Sequence, residues 1–218
     1  MTVWMVLGLA SVAILRRRTP PQLLVLVLGL FSVASQAETW YVQTGFGQNR
    51  AERSPQQLNT PVGQGVIQTL DAEDSSLQLS IGYQWHPRVA IEFGYLDLGD
   101  ARVAILAESL TPAQYHDLVK TVSPVLGDGY TAAARVLLWQ HQDWRLEVPV
   151  GVIRWSYEIN SQLGSTQLSS KDTGTDWFYG MQLSYQVTEH VLVGVGVQQL
   201  DLAPNEVKDW QLQIRYRF

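Results

Sequence analysis

The sequence predicts an all-β protein: an eight-stranded antiparallel up-and-down β-barrel that spans a membrane. Three observations carry that prediction. Long stretches alternate apolar and polar residues with period two, which gives each strand one greasy and one polar face. The last stretch places Trp210, Leu212, Ile214, Tyr216 and Phe218 at alternate positions, with only Gln and Arg between them. A strand of that kind is not expected to remain a free edge, because its backbone groups need partners, and in lipid the sheet must close. Near the start, a basic segment, an apolar run and a small-residue boundary read as an export signal.

In chain order, the first element is this leader. Arg16, Arg17 and Arg18 form the basic region, Leu23 to Ala34 the apolar run, and Ser35-Gln36-Ala37 the boundary, so cleavage is expected after Ala37. The apolar run is short of the ~20 residues a membrane-spanning helix needs. Residues 1–15 are a second apolar stretch ahead of the arginines, which such leaders do not normally carry. A start codon assigned too early explains it most simply; an unusually long leader is the alternative. The expected division is therefore 1–37 leader and 38–218 barrel.

The leader holds three Arg and no acid. Of 15 basic and 20 acidic residues, the remainder keeps 12 and 20, a net charge of −8. That acidity argues against nucleic acid as a partner. The absence of Cys excludes disulfides and thiolate metal sites.

Eight two-faced strands follow. The first sets Trp40, Val42, Thr44 and Phe46 against Tyr41, Gln43, Gly45 and Gly47. The second and third join at His86-Pro87: Leu77, Leu79, Ile81, Tyr83 and Trp85, then Val89, Ile91, Phe93 and Tyr95, form their apolar faces. The fourth and fifth join at His141-Gln142-Asp143, with Tyr130, Ala132, Ala134, Val136 and Leu138, then Trp144, Leu146, Val148, Val150 and Val152. The sixth and seventh join at Thr188-Glu189-His190, with Trp177, Tyr179, Met181, Leu183 and Tyr185, then Val191, Val193, Val195 and Val197. Strands of ~9–11 residues cross a bilayer when tilted. Their terminal aromatics suit the two membrane interfaces.

A soluble barrel would put the apolar face inside. Here the polar face carries Glu92, Arg135, Arg145, Glu147, Arg215 and Arg217 among small Gly, Ala and Ser residues and Gln. Those fit a tight lumen in which the charges pair. The bulky aliphatic and aromatic face fits lipid. The three short turns are expected at the periplasmic side, and the long connections 48–74, 99–127 and 158–175 outside, with a shorter one near Ala203-Pro204-Asn205. Within 99–127, Thr111 as cap, Pro112, and Gln114 completing a capping box predict a helix, with Leu110 and Tyr115 as its staple. Leu118, Val119 and Val122 continue its apolar stripe, so the helix is expected to pack as a lid on the barrel mouth.

At this point the chain resembles the small outer-membrane β-barrel family typified by the OmpA transmembrane domain. The resemblance rests on Thr39-Trp40-Tyr41-Val42, the hairpin from Gly82-Tyr83-Gln84-Trp85-His86-Pro87 to Ala90-Ile91-Glu92-Phe93-Gly94-Tyr95-Leu96-Asp97-Leu98-Gly99, and Asp128-Gly129-Tyr130. Downstream it continues in Tyr185-Gln186-Val187-Thr188-Glu189-His190 and Arg215-Tyr216-Arg217-Phe218. It implies a Gram-negative outer-membrane location. It also implies that Tyr216 and Phe218 serve as an assembly signal for the barrel-assembly machinery. Lipids and lipopolysaccharide of that membrane are the other expected partners; the oligomeric state is left open.

No catalytic, cofactor or metal site is expected. Of the histidines, His86, His141 and His190 fall at turns, and His116 lies beside Asp117 with Ser109 and Ser123 near in sequence, without the spacing of a triad. Asp71, Glu73 and Asp74 lack metal-ligand spacing. The expected function is structural, through envelope integrity or loop-mediated surface contacts. A narrow channel for small or apolar solutes is the alternative, and a lipid-modifying enzyme a more distant one.

Overall fold

The computed structural model describes residues 10–14, 40–52, 65–71, 73–100, 102–107, 111–123, 126–163, 165–203 and 205–218. The leader residues Arg16 to Ala37, together with Ser109 and Leu110, lie outside the described residues. The strands are β1 (Ala10–Ile14), β2 (Trp40–Glu52), β3 (Gly65–Asp71), β4 (Glu73–His86), β5 (Val89–Asp97), β6 (Arg102–Ala107), β7 (Asp128–His141), β8 (Trp144–Leu163), β9 (Thr166–Gln186), β10 (Val191–Leu202) and β11 (Asn205–Arg217). One helix, α1 (Pro112–Val122), stands between β6 and β7.

Eight strands close into an antiparallel barrel in the order β10-β11-β2-β4-β5-β7-β8-β9. The seam is β11 against β2, where Arg217 pairs Tyr41 and Glu206 pairs Glu52. The final strand thus finds its partner in the first barrel strand, and no edge is left to lipid. All eight period-two segments read from the sequence are barrel strands. β1, β6 and β3 form a separate three-stranded sheet.

The barrel is apolar outside and polar inside. Trp40, Phe46, Leu77, Trp85, Phe93, Tyr130, Val150, Trp177, Met181, Val195, Trp210 and Leu212 are exposed. Gln43, Gln78, Ser80, Glu92, Arg135, Glu147, Gln182, Gln211, Gln213 and Arg215 are buried. Exposing that much contiguous apolar surface to water would be prohibitive, so lipid is its solvent. No helix among the described residues is long and apolar enough to cross a membrane; the crossing is made by strands.

Two aromatic girdles bound the apolar band. At the short-turn end Trp40 packs on Tyr83 with centroids 4.9 Å apart, and Trp144 on Tyr185 at 5.0 Å. At the other end Tyr95 meets Tyr130 edge-on at 5.7 Å, and Trp177 on β9 and Trp210 on β11 are exposed. Tyr185 and Trp177 are eight residues apart on β9. That is roughly 27 Å of strand, or about 20 Å after a ~40° tilt, close to the height of such bands.

Three expectations need correction. The stretch 158–175 is not a loop. β8 and β9 continue through it as one paired ribbon, from Glu158 with Lys171 to Leu163 with Thr166. One face of the ribbon is solvated, with Glu158, Gln162 and Ser169 exposed, while the other buries Ile159 and Ser161 beside α1; that inner face mixes apolar and polar residues, which hid the strand period. Within 48–74, β2 runs on to Glu52 and β3 forms. Within 99–127, β6 forms ahead of the helix. Trp139 is exposed beside the expected Leu138, where a bulge between Leu137 and Trp139 shifts the β7–β8 register.

The helix forms as its sequence requires. Gln114 N–H donates to Thr111 Oγ1 at 3.4 Å, and Thr111 N–H donates to Gln114 Oε1 at 3.0 Å, closing the capping box. Tyr115, Leu118 and Val119 are buried against the barrel top.

Candidate functional site

The inward face divides into a polar lower lumen and an apolar upper one. At the short-turn end, Arg135 donates through Nε and Nη2 to both oxygens of Glu92, each at 2.8 Å. Arg215 grips Glu147 in the same bidentate way, at 3.1 and 2.7 Å. Planar two-point contacts of this kind are the strongest ion-pair geometry. Arg135 reaches across to Glu147 at 3.8 Å and also bonds Gln182. Arg145 approaches Glu147 at 3.7 Å. Arg217, the sixth residue of the expected network, makes no ion pair among the described residues; it donates to Gln186 Oε1 at 2.7 Å.

Tyr41 ties the two pairs together. Its hydroxyl donates to Glu92 at 2.7 Å, and the Arg215 guanidinium lies 4.6 Å from its ring centre. To reach β5 from β2 the ring must cross β4, and it does so at Gly82, its cross-strand neighbour. A methyl group on Gly82 would overlap the Tyr41 ring. Glycine is needed here for space.

Above the ion pairs runs a ladder of amides. Arg215 Nε donates to Gln43 at 2.9 Å, Gln43 to Gln213 at 3.3 Å, Gln213 to Gln211 at 2.9 Å, and Gln211 to Asp209 at 2.7 Å. Asp209 also accepts from Ser76 at 2.6 Å and Gln198 at 2.8 Å. Three neutral donors satisfy this buried carboxylate in place of a cation. The small cavity beside the ladder, lined by Gln78, Gln198, Gln211 and Gln213, has room for about one water.

The upper lumen is filled by Leu96, Leu98, Ile153, Phe178, Leu200 and Val207, continuous with Tyr115, Leu118 and Val119 of α1. The helix therefore seats a lid on an apolar plug. Burial pushes the Tyr115 phenol up from its ordinary range. His116 pins the lid to the β8–β9 ribbon: its Nδ1 meets Ser161 Oγ at 2.7 Å and its Nε2 meets Ser170 Oγ at 3.0 Å. Both ring nitrogens are engaged by hydroxyls, so no carboxylate orients the imidazole. His86, His141 and His190 lie at the short-turn end.

Reading residue types along single strands found Glu92, Arg135, Arg145, Glu147, Arg215 and Arg217 of the lumen. Tyr41, the glutamines and Asp209 escaped notice as functional residues. Asp209 was within reach, since it stands two positions before Gln211 on the same inward face. The contacts of His116 with Ser161 and Ser170 had no such signal, because the three lie far apart in the chain.

A closed barrel with a lipid-facing exterior, aromatic girdles and a polar ion-paired interior defines a transmembrane protein of the Gram-negative outer membrane. The model of the family described as outer membrane protein beta-barrel domain matches residues 23–218. The chain belongs to that family. Among solved structures it is similar to the N-terminal barrel domain of OprF from Pseudomonas aeruginosa, with 16% identity, a TM-score of 0.50, and coverage of 84% of this chain and 100% of that one. It also matches Neisserial surface protein A (14% identity, TM-score 0.49, 82% and 97% coverage). Ail of Yersinia pestis matches at 16% identity and a TM-score of 0.49, covering 84% of this chain and 100% of that one. No curated protein matches the chain.

Proposed function

We propose that the protein is a closed structural barrel that contributes to envelope integrity and makes surface contacts through its outward-facing segments. The observation that carries this reading is the occupied lumen: two bidentate Arg–Glu pairs below, a glutamine ladder in the middle, and an apolar plug under α1 above. An eight-stranded barrel is only just wide enough for side chains to fill, which favours a plug over a channel.

The surface supports contacts with lipopolysaccharide and with other partners. Arg50, Arg154 and Lys208 point outward at or above the upper aromatic girdle, where lipid phosphates lie. Beyond them the β8–β9 ribbon carries exposed Glu158, Gln162, Thr166, Gln167 and Ser169. For biogenesis, Tyr216 and Phe218 pack edge-to-face at 5.4 Å on the short-turn rim, a position open to an assembly factor.

Planar-bilayer recording of the purified full chain tests the closed-barrel reading. It predicts no steady current; a stable ohmic conductance would overturn it in favour of a narrow channel. Mass spectra of lipid A and phospholipids from a deletion strain should match the parent. A specific lost deacylation or acylation would point to an enzyme instead.

A further inference from the structure

The ion pairs of the lumen leave a remainder. Glu92 is taken by Arg135 and Glu147 by Arg215, each through both carboxylate oxygens. Among the described residues, Arg145 and Arg217 have no carboxylate of their own. The Arg145 side chain is only 9% exposed and reaches Glu147 at 3.7 Å, through the oxygen that already accepts from Arg215. Arg217 uses one nitrogen on Gln186 at 2.7 Å and on the Glu189 carbonyl at 3.4 Å. Asp209 cannot neutralise either of them. It stands six residues from Arg215 along β11, roughly 20 Å away by strand rise.

Three donors in this region have no partner among the described residues: Arg145 Nε, Arg217 Nε and Ser184 Oγ. The topology gathers them at one end of the lumen. Arg145 and Ser184 are direct cross-strand partners on β8 and β9, and both are buried. Gln186, which holds Arg217, is the next inward position along β9. A buried guanidinium with an unpartnered N–H is costly unless a counter-charge joins it.

We propose that the periplasmic mouth of the lumen is a binding site for a phosphate dianion, held by Arg145, Arg217 and Ser184. Two surplus positive charges match a ligand of charge near −2. Diverging N–H and O–H donors match the oxygens of a tetrahedral phosphate, and guanidinium is the side chain best suited to it. A phosphodiester carries one charge and balances half the surplus, so inorganic phosphate or a phosphomonoester fits better. The ligand comes from the periplasm or from a phosphomonoester lipid headgroup.

Calorimetric titration of the refolded full chain in a phosphate-free maltoside tests the site, with inorganic phosphate, dimethyl phosphate and chloride as probes. Saturable phosphate binding is expected, at least tenfold tighter than dimethyl phosphate or chloride. Arg217→Gln and Arg145→Gln should each weaken it tenfold or more, and Ser184→Ala several-fold. Heat-dependent gel mobility checks that each variant folds; Arg217 sits at the rim and Ser184→Ala is nearly isosteric, so the test survives a failure of the Arg145 variant. Absence of saturable binding to the parent chain overturns the proposal. So does equal binding of all three anions, or phosphate affinity untouched by Arg217→Gln and Ser184→Ala. Where the site stands, competition by phosphatidic acid vesicles assigns the headgroup source, and its lack assigns free phosphate.

Discussion

Glu147→Gln should destabilise the barrel by about 3–5 kcal/mol, the usual cost of removing one partner from a buried ion pair. The side chain is 3% exposed and accepts from Arg215 at 2.7 and 3.1 Å, with Arg145 at 3.7 Å and Arg135 at 3.8 Å. The substitution preserves shape and removes one negative charge among three buried guanidinium groups. What is lost is therefore the counter-charge, while packing is kept. With an m-value of ~2 kcal/mol/M, the urea midpoint should fall by about 1.5–2.5 M. Tryptophan fluorescence with heat-shifted gel mobility, on chain refolded into vesicles, follows the transition. Arg215→Met on the Glu147→Gln background should recover part of the loss, because the second change removes a stranded cation. A midpoint shift under ~0.5 M, or strictly additive single and double variants, would show that the pairs do not hold the lumen together.

Other outcomes follow from single contacts. Gly82→Val should displace Tyr41 from Glu92 and cost about 2–3 kcal/mol in the same assay, as overpacking does. Gln142 sits at φ 51° in the two-residue turn between β7 and β8, so Gln142→Gly should stabilise by about 0.5–1 kcal/mol. Thr111→Ala should loosen α1 by about 1 kcal/mol, raising amide exchange in the lid while leaving the barrel strands protected. Tyr115 titrates above the ordinary phenol range, so its neutral form is favoured in the docked lid. Lid docking should be full below about pH 10 and weaken as pH rises through the raised value, which phenolate absorbance and lid proteolysis would report.

Period-two alternation was enough to locate the eight strands, because one face of each meets lipid and the other a narrow lumen, and the two solvents demand opposite chemistry. The C-terminal face from Trp210 to Phe218 is the clearest case, and Thr111-Pro112-Gln114 located the helix start for an equally local reason. Where one face mixes apolar and polar residues, that signal fades. The ribbon from Glu158 to Thr175 sets Ile159, Leu163 and Leu168 on the same face as Ser161 and Ser170, and it read as a loop although it is paired throughout. The bulge at Leu137 and Trp139 exceeded a strict period for a related reason, since strand register depends on the neighbouring strand.

Periodicity put Glu92, Arg135, Arg145, Glu147 and Arg215 on one face, and the small residues and Gln beside them marked that face as the lumen. Partner choice came from the closed barrel. Arg215 meets Glu147 on a strand 68 residues away, and Tyr41 reaches Glu92 across 51 residues. A strand pattern reports which solvent each side chain faces, because that depends on neighbours two residues away. Which guanidinium finds a carboxylate, and which two are left over, depends on shear and closure, and those exist only once the last strand has paired with the first.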